Sequence, residues 1–157
     1  MSMNSVGDPR YYNQWIMVDS GAQCCCCPRD YAPEIRLRNF GNYGPPDLRS
    51  VTGDKMNVYG VKLVHYKVSN DHVMTVKYYV TEVQQPIIGV CGLNSAGYAV
   101  YMSMQPKLYY QGNYIADVKK NQGLYWIMPL GNTYYVPPQM TKNCLLYTSP
   151  SPRDMWT

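Results

Sequence analysis

Side chains able to do chemistry are few in this chain of 157 residues, which carries two Glu, two His and six Cys. No G-x-S-x-G, H-E-x-x-H, P-loop or GxGxxG string occurs. Asp30, Asp47, Asp54, Asp71 and Asp117 stand in turn-like or polar surroundings, where Asp is favoured for bonding its own backbone. Asp19 is different, because it follows the apolar run Trp15-Ile16-Met17-Val18 and precedes Ser20-Gly21-Ala22. Its carboxylate is expected to leave a dry core at a point where a second backbone can come close. A carboxylate so placed is a candidate general acid or base. An Asp-Ser-Gly tripeptide alone is usually a turn, so the elements around it must carry the reading. His65 and His72 fall on a strand and in a turn and read as solvated polar residues rather than general bases.

Four cysteines stand side by side, Cys24 to Cys27, with Cys91 and Cys144 distant. Adjacent cysteines make a poor disulfide framework. Cys24 and Cys27 have C-x₂-C spacing, but no second such pair or His pair follows. Unpaired thiols filling small core volumes are therefore expected in preference to a structural zinc site.

The elements that must position Asp19 read as an all-β domain of short strands separated by turn chemistry. Trp15 to Val18 suits a buried strand that stops at Asp19-Ser20-Gly21, where Gly permits a sharp turn. Apolar and polar residues alternate from Val64 to Val68 and from Met74 to Thr81, with Ser69-Asn70-Asp71-His72 between them as a hairpin connection. Leu48 to Val51 and Met56 to Val61 flank Thr52-Gly53-Asp54-Lys55 as a second hairpin, and Asn39 to Asp47 is a Gly- and Pro-containing loop. Pro86-Ile87-Ile88-Gly89 reads as a short buried strand passing into one helical turn ended by Gly97. Tyr98 to Met102, Tyr114 to Val118 and Leu124 to Met128 read as further strands, with Asn121-Gln122-Gly123 a turn between the last two.

Size and composition, 46% hydrophobic and 15% charged, allow one domain with a single modest core. The net charge of +4 is spread without a basic block, so electrostatics give no positive case for a nucleic-acid or anionic-membrane partner. No apolar run approaches the roughly 20 residues of a spanning helix, and the start of the chain lacks a signal-peptide core. A soluble intracellular protein is the expectation. Near the other end, Cys144-Leu145-Leu146-Tyr147-Thr148-Ser149-Pro150-Ser151-Pro152-Arg153-Asp154 looks like a translated sequencing-library adapter and is given no role. The expected division is a polar segment 1–13, a domain 14–130, a linker 131–143 and a non-native tail 144–157.

Over about Gln14 to Leu130 the chain resembles a retropepsin of the kind encoded in Copia-type retrotransposon polyproteins. The resemblance rests on three segments in order: the apolar strand into Asp19-Ser20-Gly21-Ala22, the Gly53 hairpin continuing into Val58-Tyr59-Gly60-Val61, and Pro86-Ile87-Ile88-Gly89. It extends to Gly92-Leu93 and Gly97-Tyr98, while Cys24 to Cys27 departs from it where such enzymes often shape the substrate cleft. It implies a retropepsin-like acid protease barrel that is one half of a homodimer, with catalytic Asp19 supported by Ser20, Gly21 and Ala22. It further implies a flap at Thr52, Gly53 and Asp54 and a loop buttress at Ile87, Ile88 and Gly89. The implied activity is aspartic endopeptidase cleavage of the element's own polyprotein, in the cytoplasm or within virus-like particles, with no metal or other cofactor, no nucleic-acid contact and no membrane. The alternative is an inactive relic or dimerisation module of the same fold, and a third reading, a Cys-dependent zinc or redox module, rests only on Cys24 to Cys27.

Overall fold

The computed structural model describes residues 15–42 and 44–130. The expected segments 1–13, 131–143 and 144–157, with Cys144 and the adapter-like string, lie outside the described residues.

The domain is all-β. Its strands are β1 (Ile16–Asp19), β2 (Cys26–Cys27), β3 (Val58–Ser69), β4 (His72–Thr81), β5 (Ile87–Gly89), β6 (Tyr98–Tyr101), β7 (Lys107–Tyr110), β8 (Asn113–Asn121) and β9 (Leu124–Ile127). One short helix, α1 (Val90–Ser95), follows β5 directly. The strands join in the order β3-β4-β2-β5-β1-β9-β8-β7-β6, which puts β1 in the middle. It lies parallel to β5, with Asp19 opposite Gly89, and antiparallel to β9, with Ile16 opposite Ile127. The side chains of Ile16 and Val18 are buried on one face, as a period of two requires.

The long β3–β4 hairpin supplies much of the core. Val64 pairs with Val76 and Tyr66 with Met74, and these residues, with Val68, Tyr78 and Val80, are almost fully buried. Asn70 and Asp71 form its two-residue turn, with a register shift between Lys67 and Ser69. The two runs expected at Met56–Val61 and Val64–Val68 are one continuous strand from Val58. Leu48 to Val51 is not a strand: only Arg49 bridges Lys55, and although Leu48 is buried, Val51 is fully exposed, so no run of alternating buried residues holds an extended chain there. The helical turn forms as expected and stops where Gly97 adopts φ +94° and donates its N–H to Asn94 O.

Abundant tyrosine has a structural use. Tyr31, Tyr66 and Tyr78 are buried together, and Tyr66 shares hydroxyl bonds with both of the others, the Tyr78 contact being 2.8 Å. Buried rings with mutually satisfied hydroxyls give the packing of Phe without orphaned polar atoms. The ammonium of Lys62, buried beside them, donates to the carbonyls of Tyr31 and Ala32 at 2.8 and 3.0 Å.

Neither histidine is the solvated residue expected. His65 is 7% exposed with Nδ1 2.7 Å from Thr75 Oγ1, and half-buried His72 places Nε2 2.6 Å from Tyr98 OH. His72 packs against the Tyr98 and Tyr110 rings, a contact that alternation along one strand does not reveal. Burial holds both imidazoles below their ordinary value, with Arg38 adding to the effect at His65, and burial also raises the Tyr98 phenol, so that Tyr98 stays a donor to His72. The unfolded chain therefore takes up protons first as pH falls. Stability is full above about pH 6.5 and declines as the pH drops below that value. The thermal midpoint is expected to fall between about pH 7.5 and 5.5, and less steeply in a His65→Asn, His72→Phe double variant. An unchanged slope in that variant would contradict this assignment.

Candidate active site

Asp19 is the last residue of β1, held at the middle of the sheet by strands on both sides. Beyond it the chain turns: Ala22 N–H donates to Asp19 O at 3.3 Å, and Gly21 N–H donates to Asp19 Oδ1 at 2.8 Å. The carboxylate is thus fixed from its own loop. Asp19 is half-buried, whereas Ser20 and Gly21 are exposed.

The loop rests on β5. A methyl group added at Gly89 would stand 2.8 Å from the carbonyl oxygen of Ala22 and 3.0 Å from that of Cys24. Both are backbone atoms, so only glycine lets the Asp19 loop lie this close to the parallel strand. Ile88, buried behind it, pairs with Val18, and half-buried Ile87 pairs with Met17. Asp19 and Ala22 are therefore packed with Ile87, Ile88 and Gly89, while Ser20 and Gly21 stand exposed beside them.

Gly21 has a different status. A methyl there would meet only Asp19 Oδ1 at 3.4 Å, an ordinary contact, and its φ is not in the left-handed region. Nothing within the chain demands glycine at this exposed point. Gly21→Ala is accordingly expected to leave the thermal midpoint nearly unchanged, so any larger loss of function it causes must come from a surface brought up against the loop. A midpoint drop comparable to that of Gly89→Ala would contradict this.

Thr52, Gly53 and Asp54 form a separate solvent-facing turn. Ser50 N–H bonds Asp54 O at 2.8 Å, Gly53 N–H bonds Ser50 O at 2.9 Å, and Thr52 Oγ1 donates to Asp54 Oδ2 at 3.2 Å. Gly53 takes φ +91° with no atoms near its missing side chain. These bonds close the turn on itself, and none reaches the Asp19 loop. At its base Asn57 and Tyr59 hydrogen-bond the Glu82 carboxylate, the Asn57 side-chain amide most strongly, holding it below the usual range. Arg29 lies over the Tyr59 ring at 4.4 Å.

Past Ala22, Gln23 and Cys24 form one wall of a cleft of about 310 Å³, with Leu48, Lys77, Tyr79 and Cys91 among the rest of its lining. Lys77 and Tyr79 were not singled out from sequence. Their signal was present, since β4 alternates and Met74, Val76, Tyr78 and Val80 face the core, which turns Lys77 and Tyr79 to the other side. No group of three or more His, Cys, Asp or Glu side chains is gathered for a metal ion among the described residues. Among those residues no helix is long and apolar enough to cross a membrane.

At the end of β1 the geometry presents one fixed, half-exposed carboxylate, Asp19, in a loop whose neighbours Ser20, Gly21, Ala22 and Gly89 contain no second acid or base. Comparison with family models, with curated proteins and with solved structures gives no match for the chain.

Proposed function

We propose that the protein is an aspartic endopeptidase of the retropepsin type, assembled from two copies of this chain and acting on extended segments of a retroelement polyprotein. The observation that carries the reading is the pairing of Asp19 with Gly89 across parallel strands, where the Ala22 and Cys24 carbonyls occupy the space of a side chain at Gly89. The order of segments along the chain gives it further support.

One carboxylate cannot serve as both base and acid in a single hydrolytic step. Two copies related by a twofold axis would bring two Asp19 carboxylates within a few ångströms, where they share one proton because both cannot ionise cheaply. The ionised Asp19 takes a proton from a water molecule as its oxygen adds to the peptide carbonyl. The protonated Asp19 donates to the oxygen that gains charge, and a proton then passes to the leaving amine as the carbon–nitrogen bond breaks. Ser20, exposed beside the carboxylate, would bond across the axis, and the small Gly21 would admit the second loop. The Thr52–Gly53–Asp54 turn would close over bound peptide and exclude water, and the peptide itself would add as a strand. Cleavage inside the cell or within virus-like particles fits a polyprotein substrate.

The test is cleavage of casein or a polyprotein peptide between about pH 4 and 7, with and without a pepstatin-type inhibitor. Inhibitor-sensitive cleavage supports the reading. A folded dimer without cleavage throughout that range would replace it with an inactive dimerisation module of the same fold.

A further inference from the structure

The cysteine run is not used by this mechanism, and its geometry divides it in two. Alternation along the chain sends Cys25 and Cys27 into the core and leaves Cys24 and Cys26 half-buried on the other side. The Sγ atoms of Cys24 and Cys26 lie 4.0 Å apart, and Cys26 Sγ is also 3.9 Å from Cys24 O. Cys24 stands at a bend just before β2, and even strand-like chain would set residues two apart at about 6.6 Å between Cα atoms, inside the upper limit of about 6.8 Å for a disulfide. Cys24 also faces the 310 Å³ cleft, so a small reagent can reach it, and Lys77 lines the same cleft.

We propose that Cys24 and Cys26 form an oxidisable dithiol site whose co-substrate is a hydroperoxide, and that its disulfide displaces the Asp19 loop. The Cys26 S–H bond first, and Lys77 second, lower the Cys24 thiol below its ordinary value against the effect of burial. Burial pushes Cys25 and Cys27 up to about 11 and about 12, and the bond to Cys24 together with burial raises Cys26 as well, so Cys26 enters as a thiol that gives up its proton as the S–S bond forms. The Cys24 thiolate attacks the outer oxygen of the hydroperoxide, the O–O bond breaks and an alcohol leaves with a proton. Sulfenic acid on Cys24 is then displaced by the Cys26 sulfur, forming the S–S bond and releasing water. Two thiols lose two electrons and the hydroperoxide gains them.

A disulfide favours Cα atoms about 5.5–6 Å apart and Cβ atoms about 3.8 Å apart, closer than strand-like chain sets residues two apart, so closure draws one end toward the other. Cys26 is held between Tyr79 of β4 and Ile87 of β5, so the movable end is Cys24, whose carbonyl already presses toward Gly89. That segment continues the loop from Asp19. The oxidation chemistry is independent of the peptidase reading; only its effect on cleavage rests on it.

The experiment treats the reduced full chain with hydrogen peroxide, counts alkylatable thiols under denaturing conditions by mass, and follows hydrogen exchange over residues 19–24. Two thiols should disappear reversibly from the peptide holding the run, in wild type and in Cys91→Ser, and exchange over the loop should speed up. Neither Cys24→Ser nor Cys26→Ser should form that bond. If the enzyme cleaves, oxidation should slow it by about a hundredfold, as for a reacting group misplaced by an ångström, with recovery on adding dithiothreitol. Disulfide formation that requires Cys91, thiol loss unaffected by Cys26→Ser, or a disulfide with unchanged loop exchange would each overturn the proposal. A chain that never cleaves but forms the bond and loosens the loop would sink the peptidase reading and leave the dithiol site standing.

Discussion

Asp19→Asn is expected to lower cleavage by about four orders of magnitude, the usual scale for removing a group that acts in the transition state. The fold should survive. Asn has the size of Asp, its amide oxygen can still accept the Gly21 N–H now bonded at 2.8 Å, and the side chain is half-exposed, so no desolvated partner is orphaned. The thermal midpoint should therefore stay near that of wild type while kcat/KM collapses. Retention of kcat/KM within tenfold would mean that Asp19 is only a turn residue, and the functional reading would fall with it.

A large effect on stability is expected at Gly89. An alanine there would drive its methyl into two backbone carbonyls at 2.8 and 3.0 Å, and neither can swing aside as a side-chain tip could. Since β5 sits between β1 and β2, relief requires spreading the middle of the sheet or lifting the Asp19 loop. Overpacking of this kind costs about 1–3 kcal/mol, which chemical denaturation measures directly. A Gly89→Ala variant as stable as wild type would show that the loop is not clamped on β5. Gly60 offers a comparison away from the site, because a methyl there would stand 2.6 Å from Arg38 O. Gly60→Ala should lose similar stability without specifically disturbing the Asp19 loop.

Much of the frame was legible in the residues. The β3–β4 alternation, the stop of β1 at Asp19 and the helical turn ended by Gly97 are local patterns of period, turn and cap chemistry, and each forms as read. Elements that exist only through tertiary pairing were not legible. Two-residue β2 is a strand because Cys26 lies between β4 and β5, not because of any propensity of the cysteines. The packing of His72 against Tyr98 and Tyr110 joins β4 to β6 and β7, and β4 itself carries no sign of it. At the site, the sequence marks the Asp19 loop and Ile87-Ile88-Gly89 as separate segments, and only the fold pairs them. The carbonyl contacts that make Gly89 obligatory follow from the register of parallel strands far apart in sequence, whereas the 4.0 Å approach of Cys24 and Cys26 is local, two residues apart.

The central claim, that two chains each supply one Asp19, is tested most directly by titrating Asp19→Asn chain into wild type at fixed total protein and allowing the subunits to exchange. Mixed dimers then carry a single carboxylate and are inactive. Cleavage is predicted to fall as the square of the wild-type fraction. Activity that declines only in proportion to that fraction would contradict the account, because it would locate a complete catalytic site within one chain.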